Sequence, residues 1–205
     1  VTYRYIENLR SSTARKSADL SKLTPSIPKF STKAEYRAWC ADAKTKHVFY
    51  STVEGRAPSK RVSTDNPLNK VYGIVADYDA PVNWSLVDGK IQTICANSLP
   101  TWQTKTHSGY IRLVWEFEQG VPISPDMFSA FAKEMKKILK LNKIFAGFDE
   151  TSLNPSQYFE LGSNWKKMGP PLPKATFHTA LLKAAESNPP QSGDTAIPID
   201  VVGEK

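Results

Sequence analysis

Two cysteines, Cys40 and Cys95, are too few for a disulfide framework and do not suggest a thiolate metal site. Both fall within expected helices, and a reducing compartment suits them. No apolar run approaches the length needed to cross a bilayer, and the N-terminus lacks the apolar centre of a signal peptide. The expectation is a soluble, intracellular, cytoplasmic protein with no membrane partner. No internal repeat is visible, which sets solenoid architectures aside. The chain starts at Val1, so a domain cut from something longer is expected.

What is present suits one compact domain with an appended segment. Of the 205 residues, 40% are hydrophobic and 11% aromatic, enough to bury a real core. Lys and Arg number 27 against 20 Asp and Glu, a formal charge of +7 that favours polyanionic partners and says nothing of the fold. Basic domains are common, so charge alone points weakly.

Residues 1–25 are polar, basic and weakly periodic, and read as an N-terminal arm or short peripheral helix. Thr32 and Glu35 form a capping box that opens a helix through about Lys44, and "HVFYSTV" then reads as a strand. "EGRAPSKRVSTDNPLNK" is a long basic loop. A helix is expected over roughly Val87 to Ala96, then strand-like runs "TWQTKTHS" and "YIRLVWEFE" joined at Ser108 and Gly109. Ser124 and Pro125 are an N-cap and first-turn pair for a helix with Phe128, Phe131, Met135, Ile138 and Leu139 on one face. Its lysines, Lys133, Lys136, Lys137 and Lys140, read as the solvated side. Residues 171–205 read as a Pro/Ser-rich tail or linker with a short helix at "HTALLKAAE", leaving residues 26–170 as the main domain. Strands near 47–53, 71–79, 101–107, 110–118 and 156–162, interrupted by helices without strict βαβ repetition, predict an α+β fold. Its sheet is largely antiparallel and flanked by helices.

The chemistry concentrates in "KVYGIVADYDAP", Lys70 to Pro81. Alternation along a strand puts Asp77 and Asp79 on one side, where two carboxylates repel unless a cation sits between them. A hard divalent ion, magnesium or manganese, is the usual remedy, and a strand-end turn is the plainer reading. Asp149 in "AGFDETS" is the candidate third acid, and three acids could clamp two ions as polymerases and many nucleases do. Glu150 would face the other way. Between the acids, "THSGYIRLVWEF" offers a tight Ser108–Gly109 turn and a strand that carries Tyr110 and Arg112 on one face. A guanidinium there could hold triphosphate oxygens, or the segment is a plain hairpin with an exposed arginine.

In this order, "VADYD", "SGYIRLVW" and "FDETSLNPSQYFELGSNWK" resemble the three motifs of the archaeo-eukaryotic primase superfamily, the primase-polymerases of plasmids, phages and archaea. The resemblance covers roughly residues 45–168 and implies a primase-polymerase (RRM-like) core. It implies that Asp77, Asp79 and Asp149 are catalytic metal ligands. It further implies that His107, Ser108, Gly109, Arg112, Asn164 and Lys166 meet the nucleotide, with Lys167 beside Lys166 as a further phosphate contact. Two positions depart from the pattern: Arg112 stands where the family has a histidine, and Glu160 where related proteins often carry an arginine. The implied activity is template-dependent nucleotidyl transfer, a DNA primase or polymerase using Mg2+ or Mn2+. Its partners would be nucleoside triphosphates, a single-stranded DNA template and a helicase domain or protein. Arg56, Lys60 and Arg61 would track the template through charge. The alternatives are a two-metal nuclease and a replication-initiator or DNA-binding module with a degenerate site.

Overall fold

The computed structural model describes residues 1–17, 20, 23, 30–80, 99–106, 108–140 and 147–187, with backbone alone for 40, 43–46 and 138–140. The expected helix at 87–96, Cys95 and His107, and the expected facing of Ile138 and Leu139, lie outside what is described.

Two antiparallel sheets carry the fold. The larger runs in the order β10 (Ser163–Lys167), β6 (Trp102–Lys105), β7 (Ile111–Pro122), β5 (Leu68–Tyr78), β4 (Val53–Gly55), and the two-residue β8 (Phe148–Asp149) pairs with the far end of β5. The smaller runs β2 (Arg15–Ser17), β1 (Tyr3–Ile6), β3 (Phe49–Ser51), β9 (Phe159–Glu160). Among the described residues three α-helices, α1 (Lys33–Lys46), α2 (Pro125–Lys140) and α3 (Lys174–Ser187), flank them. The protein is therefore α+β, with antiparallel sheets and flanking helices. Among the described residues no helix is long and apolar enough to cross a membrane.

Alternation along β5 and β7 decides which face meets what. Ile74, Ala76, Leu113, Trp115 and Phe117 point to a core closed by Phe128, Phe131 and Met135 of α2 and by Phe177, Leu181 and Ala184 of α3. Phe177 stacks at 4.3 Å from Phe117 and 4.9 Å from Phe131, centroid to centroid. Val75 and Val114 point the other way, against Tyr3, Tyr50, Phe159 and Leu161 of the smaller sheet and its flanks. Asp77 and Arg112 lie on this second face, two residues further along their strands.

Local signals explain the helix starts. Glu35 N–H donates to Thr32 Oγ1 at 3.2 Å, and the Glu35 carboxylate accepts from the backbone N–H of Ser31 and Thr32, a complete capping box. Ser124 Oγ accepts from Met127 N–H at 3.2 Å and caps α2.

Four expectations need correction. The N-terminal arm contains β1, whose Tyr3 and Ile6 are buried. Its basic look misleads because Arg4 is buried in an ion pair with Glu54, while the Tyr3 hydroxyl donates to the buried Glu116 carboxylate. The strand expected at 47–53 is two strands in two sheets. Thr52 makes the crossing, with its hydroxyl on Gly73 O at 2.9 Å and its carbonyl accepting from Tyr72 N–H at 2.7 Å. The strand expected at 156–162 is cut short at Glu160 and followed by β10. Gly162 sits between them at φ +67°, where a Cβ would lie 2.7 Å from Thr104 Oγ1. Finally, the residues read as a tail supply α3, a wall of the main core.

Candidate active site

Strand register gathers residues that are far apart in sequence. Asp77 pairs with Arg112 on one side and with Asp149 on the other, and Arg112 pairs with Thr104, so one row runs Thr104, Arg112, Asp77, Asp149 across the sheet. Directly opposed residues project to the same face. Asp79 follows the end of β5, tied by its backbone N–H to Gly147 O at 2.7 Å. The two chains approach closely because Gly147 has no Cβ: one built there, at φ +72°, would lie 3.1 Å from Ala80 and Asp79 atoms.

The same end of the sheet holds the other nucleotide candidates. The β6–β7 hairpin closes through Thr106, whose carbonyl accepts from Gly109 N–H at 2.9 Å and whose hydroxyl lies 2.9 Å from Ser108 Oγ and accepts from Tyr110 N–H at 3.2 Å. Ser108 and Gly109 are exposed, but the N–H groups of Gly109 and Tyr110 are engaged inside the turn. Ser163 pairs with Lys105, which brings exposed Asn164 toward this end, whereas Lys166 pairs with Gln103, which itself pairs with Leu113, and so projects to the face opposite Asp77 and Arg112. Lys167 Nζ lies 6.0 Å from the Trp102 ring centroid.

The three acids differ in surroundings. Asp79 is exposed, and burial of its carboxyl followed by the charges of Asp149 and Asp77 pushes its pKa up. Asp149 is half-buried and caps the short 3-10 helix Glu150–Leu153, accepting from Thr151 N–H at 2.9 Å with Thr151 Oγ1 2.8 Å from both oxygens. Asp77 is mostly buried and is held by Arg112: Nε donates to Oδ1 at 2.5 Å and Nη2 to Oδ2 at 3.0 Å. Burial drives the Asp77 pKa up and Arg112 opposes it. Burial alone would lower the Arg112 pKa, but the carboxylates of Asp77 and Glu160 outweigh it and hold the guanidinium charged.

Arg112 was expected to reach a triphosphate; here it is turned inward, 3% exposed. Its Nη1 donates to the Glu160 carbonyl, its Nη2 lies 3.3 Å from Glu160 Oε1, and its Cζ is 5.1 Å from the Phe159 ring centroid and 5.9 Å from that of Tyr50. The two departures from the family pattern, Arg112 and Glu160, thus meet each other. The sequence signal for this pairing is one unexpected cation and one unexpected anion in the same fold.

The basic loop is elsewhere. Gly55 pairs with Leu68 at the start of β5, roughly 30 Å from Asp77 at about 3.3 Å per residue. Arg56 and Lys60 are exposed there. Arg61 is engaged, donating to Leu9 O at 2.8 Å and Ser156 O at 3.3 Å with its guanidinium 4.9 Å from the Tyr158 ring centroid.

The donor set decides how an ion would fit. Among the described residues no three His, Cys, Asp or Glu side chains are arranged to hold a metal. Asp79 and Asp149, hard oxygen donors that repel each other, suit one magnesium or manganese ion. Asp77 does not fit as it stands, because both its oxygens are bonded to a buried cation, Arg112, whereas those of Asp149 meet only the neutral, exposed Thr151.

No protein-family model and no curated protein sequence matches the chain. The AEP domain of the cyanophage S-2L primase-polymerase is a similar solved structure, 18% identical over 88% of each chain with a TM-score of 0.43. At that distance the chemistry has to be argued from this chain's own residues.

Proposed function

We propose that this chain is a divalent-metal-dependent nucleotidyltransferase of the primase-polymerase kind, making or extending primers from nucleoside triphosphates on a single-stranded DNA template. The observation that carries the reading is the gathering of Asp77, Asp79 and Asp149, from segments about seventy residues apart, at one sheet end beside an exposed Ser-Gly turn. Asp79 and Asp149 would hold magnesium or manganese. Such an ion, when bound, supplies Lewis-acid neutralisation of phosphate charge. Ser108 and Asn164, exposed at the same end, orient the triphosphate by hydrogen bonding. Arg112 contributes indirectly, by fixing the site's floor. Arg56 and Lys60 would meet the template strand well away from the acids, through its phosphates.

The test is incorporation of labelled nucleotide on a primed single-stranded template with Mg2+ or Mn2+. Asp79→Asn and Asp149→Asn should each abolish it without lowering the unfolding midpoint. A second reading, a DNA-binding module with a disabled site, draws on the Arg112–Asp77 pair. It predicts template binding with no incorporation under any ion.

A further inference from the structure

We infer that Arg112 is the resident cation of Asp77, which withdraws this carboxylate from the metal-ligand set and leaves a site for one divalent ion at Asp79 and Asp149. The inference rests on the metal-dependent reading above and narrows it to a single-ion site.

Arg112 is held from several sides by the protein. Nε and Nη2 take one Asp77 oxygen each, Nη1 takes the Glu160 carbonyl, Nη2 also faces the Glu160 carboxylate, and Phe159 and Tyr50 rings lie near the guanidinium. The side chains of Arg112 and Asp77 are 3% and 14% exposed. For Asp77 to turn to an ion, a buried guanidinium would have to surrender a bidentate carboxylate with no water to replace it, a strongly unfavourable exchange. Asp79, by contrast, is exposed.

Asp77 is then a positioning residue. Through Arg112 it ties β5 and β7 of the larger sheet to β9 of the smaller, and it sits directly opposite Asp149, whose place on β8 it helps define.

The experiment measures Mn2+ binding to the whole chain by the loss of the free-ion paramagnetic resonance signal, alongside urea unfolding. The parent should bind one ion. Asp79→Asn and Asp149→Asn should each weaken it at least tenfold, and Asp77→Asn should leave it within about threefold while lowering the urea midpoint. Arg112→Lys keeps the charge and guards against a variant that does not fold; it too should leave Mn2+ affinity unchanged. A tenfold loss in Asp77→Asn, two ions in the parent, or a severalfold gain in Arg112→Lys would overturn the inference while leaving the metal-dependent function standing. If the parent binds no Mn2+, the metal-dependent function falls. The Arg112–Asp77 pairing is then judged by the double-mutant cycle of Asp77→Asn and Arg112→Gln: coupled losses uphold it, additive losses overturn it.

Discussion

Replacing Arg112 by Met should be the most damaging single change near the site, for a reason that can be worked through group by group. Methionine keeps an apolar stem of similar reach but removes the cation, leaving the carboxylates of Asp77 and Glu160 without their main partner on a nearly dry surface. Breaking a buried ion pair from one side costs about 3–5 kcal/mol, and the contacts with the Phe159 and Tyr50 rings add about 1 kcal/mol. Against a typical total stability of about 5–15 kcal/mol, the loss is severe but measurable. With a urea m-value near 2 kcal/mol/M, the midpoint should fall by about 2–3 M. The double variant Arg112→Met, Asp77→Asn should recover part of this, because one stranded charge is gone. The pH dependence has a definite sign. Burial raises the unpaired Asp77 pKa above its unfolded value of 3.8, so the variant's stability is fully present below that value and lost as pH rises through the folded pKa. The deficit against the parent should therefore shrink on acidification from neutral pH toward 4. A loss below about 1 kcal/mol, or a deficit that grows on acidification, would refute the buried pair.

Asp79→Asn should raise the urea midpoint of the metal-free protein at neutral pH, since the raised Asp79 pKa marks a penalty for ionisation; the gain should vanish below pH 3.8, and pH-resolved unfolding curves check it. Tyr3→Phe should cost about 1–3 kcal/mol by leaving the buried Glu116 carboxylate short of a donor, readable in the same unfolding assay. Phe177→Ala should cost about 3–5 kcal/mol, and a chain ending at residue 170 should fail to give a cooperative transition, because α3 closes the main core. Arg61→Ala should destabilise by about 1.5–3 kcal/mol, whereas Lys60→Ala should leave stability unchanged and flatten the salt dependence of single-stranded DNA binding.

Legibility in the sequence followed how locally each feature was encoded. The capping box at Thr32 and Glu35 and the Ser124 cap were readable because all their atoms come from within four residues. The apolar face of α2 was readable through Phe128, Phe131 and Met135. The acids stood out because a strand-like run ended in charge. Features that depend on a distant partner were hidden. Arg4 reads as surface until Glu54 neutralises it, and the strand read at 156–162 gives no sign of β10 until Gly162 turns against Thr104. The basic loop could be recognised, but its distance from the acids depends on β5 being eleven residues long and on Gly55 pairing at the wrong end for a shared site.

Arg112 shows why residue type and spacing can locate a site and still misjudge a side chain's task. Type and spacing placed it on the strand after the Ser108–Gly109 turn and gave its chemistry as a bidentate donor; its alignment with Asp77 is a matter of strand register. They left open which oxygens it would meet. That choice turns on Glu160, forty-eight residues later, whose strand joins the smaller sheet and delivers a second acceptor to the same guanidinium. With one carboxylate partner and an open face, an arginine at this place could turn to a phosphate. With two acceptor residues and aromatic rings beside it, the guanidinium is held facing into the protein. Glu160→Gln therefore separates positioning from ligand contact. It should keep the backbone carbonyl contact and weaken the Arg112 clamp, lowering stability by about 1–3 kcal/mol without creating an unpaired buried anion. If the variant instead gained affinity for triphosphate at unchanged stability, Arg112 would be a ligand-facing side chain held back by Glu160, and the inward geometry would be one of two accessible states.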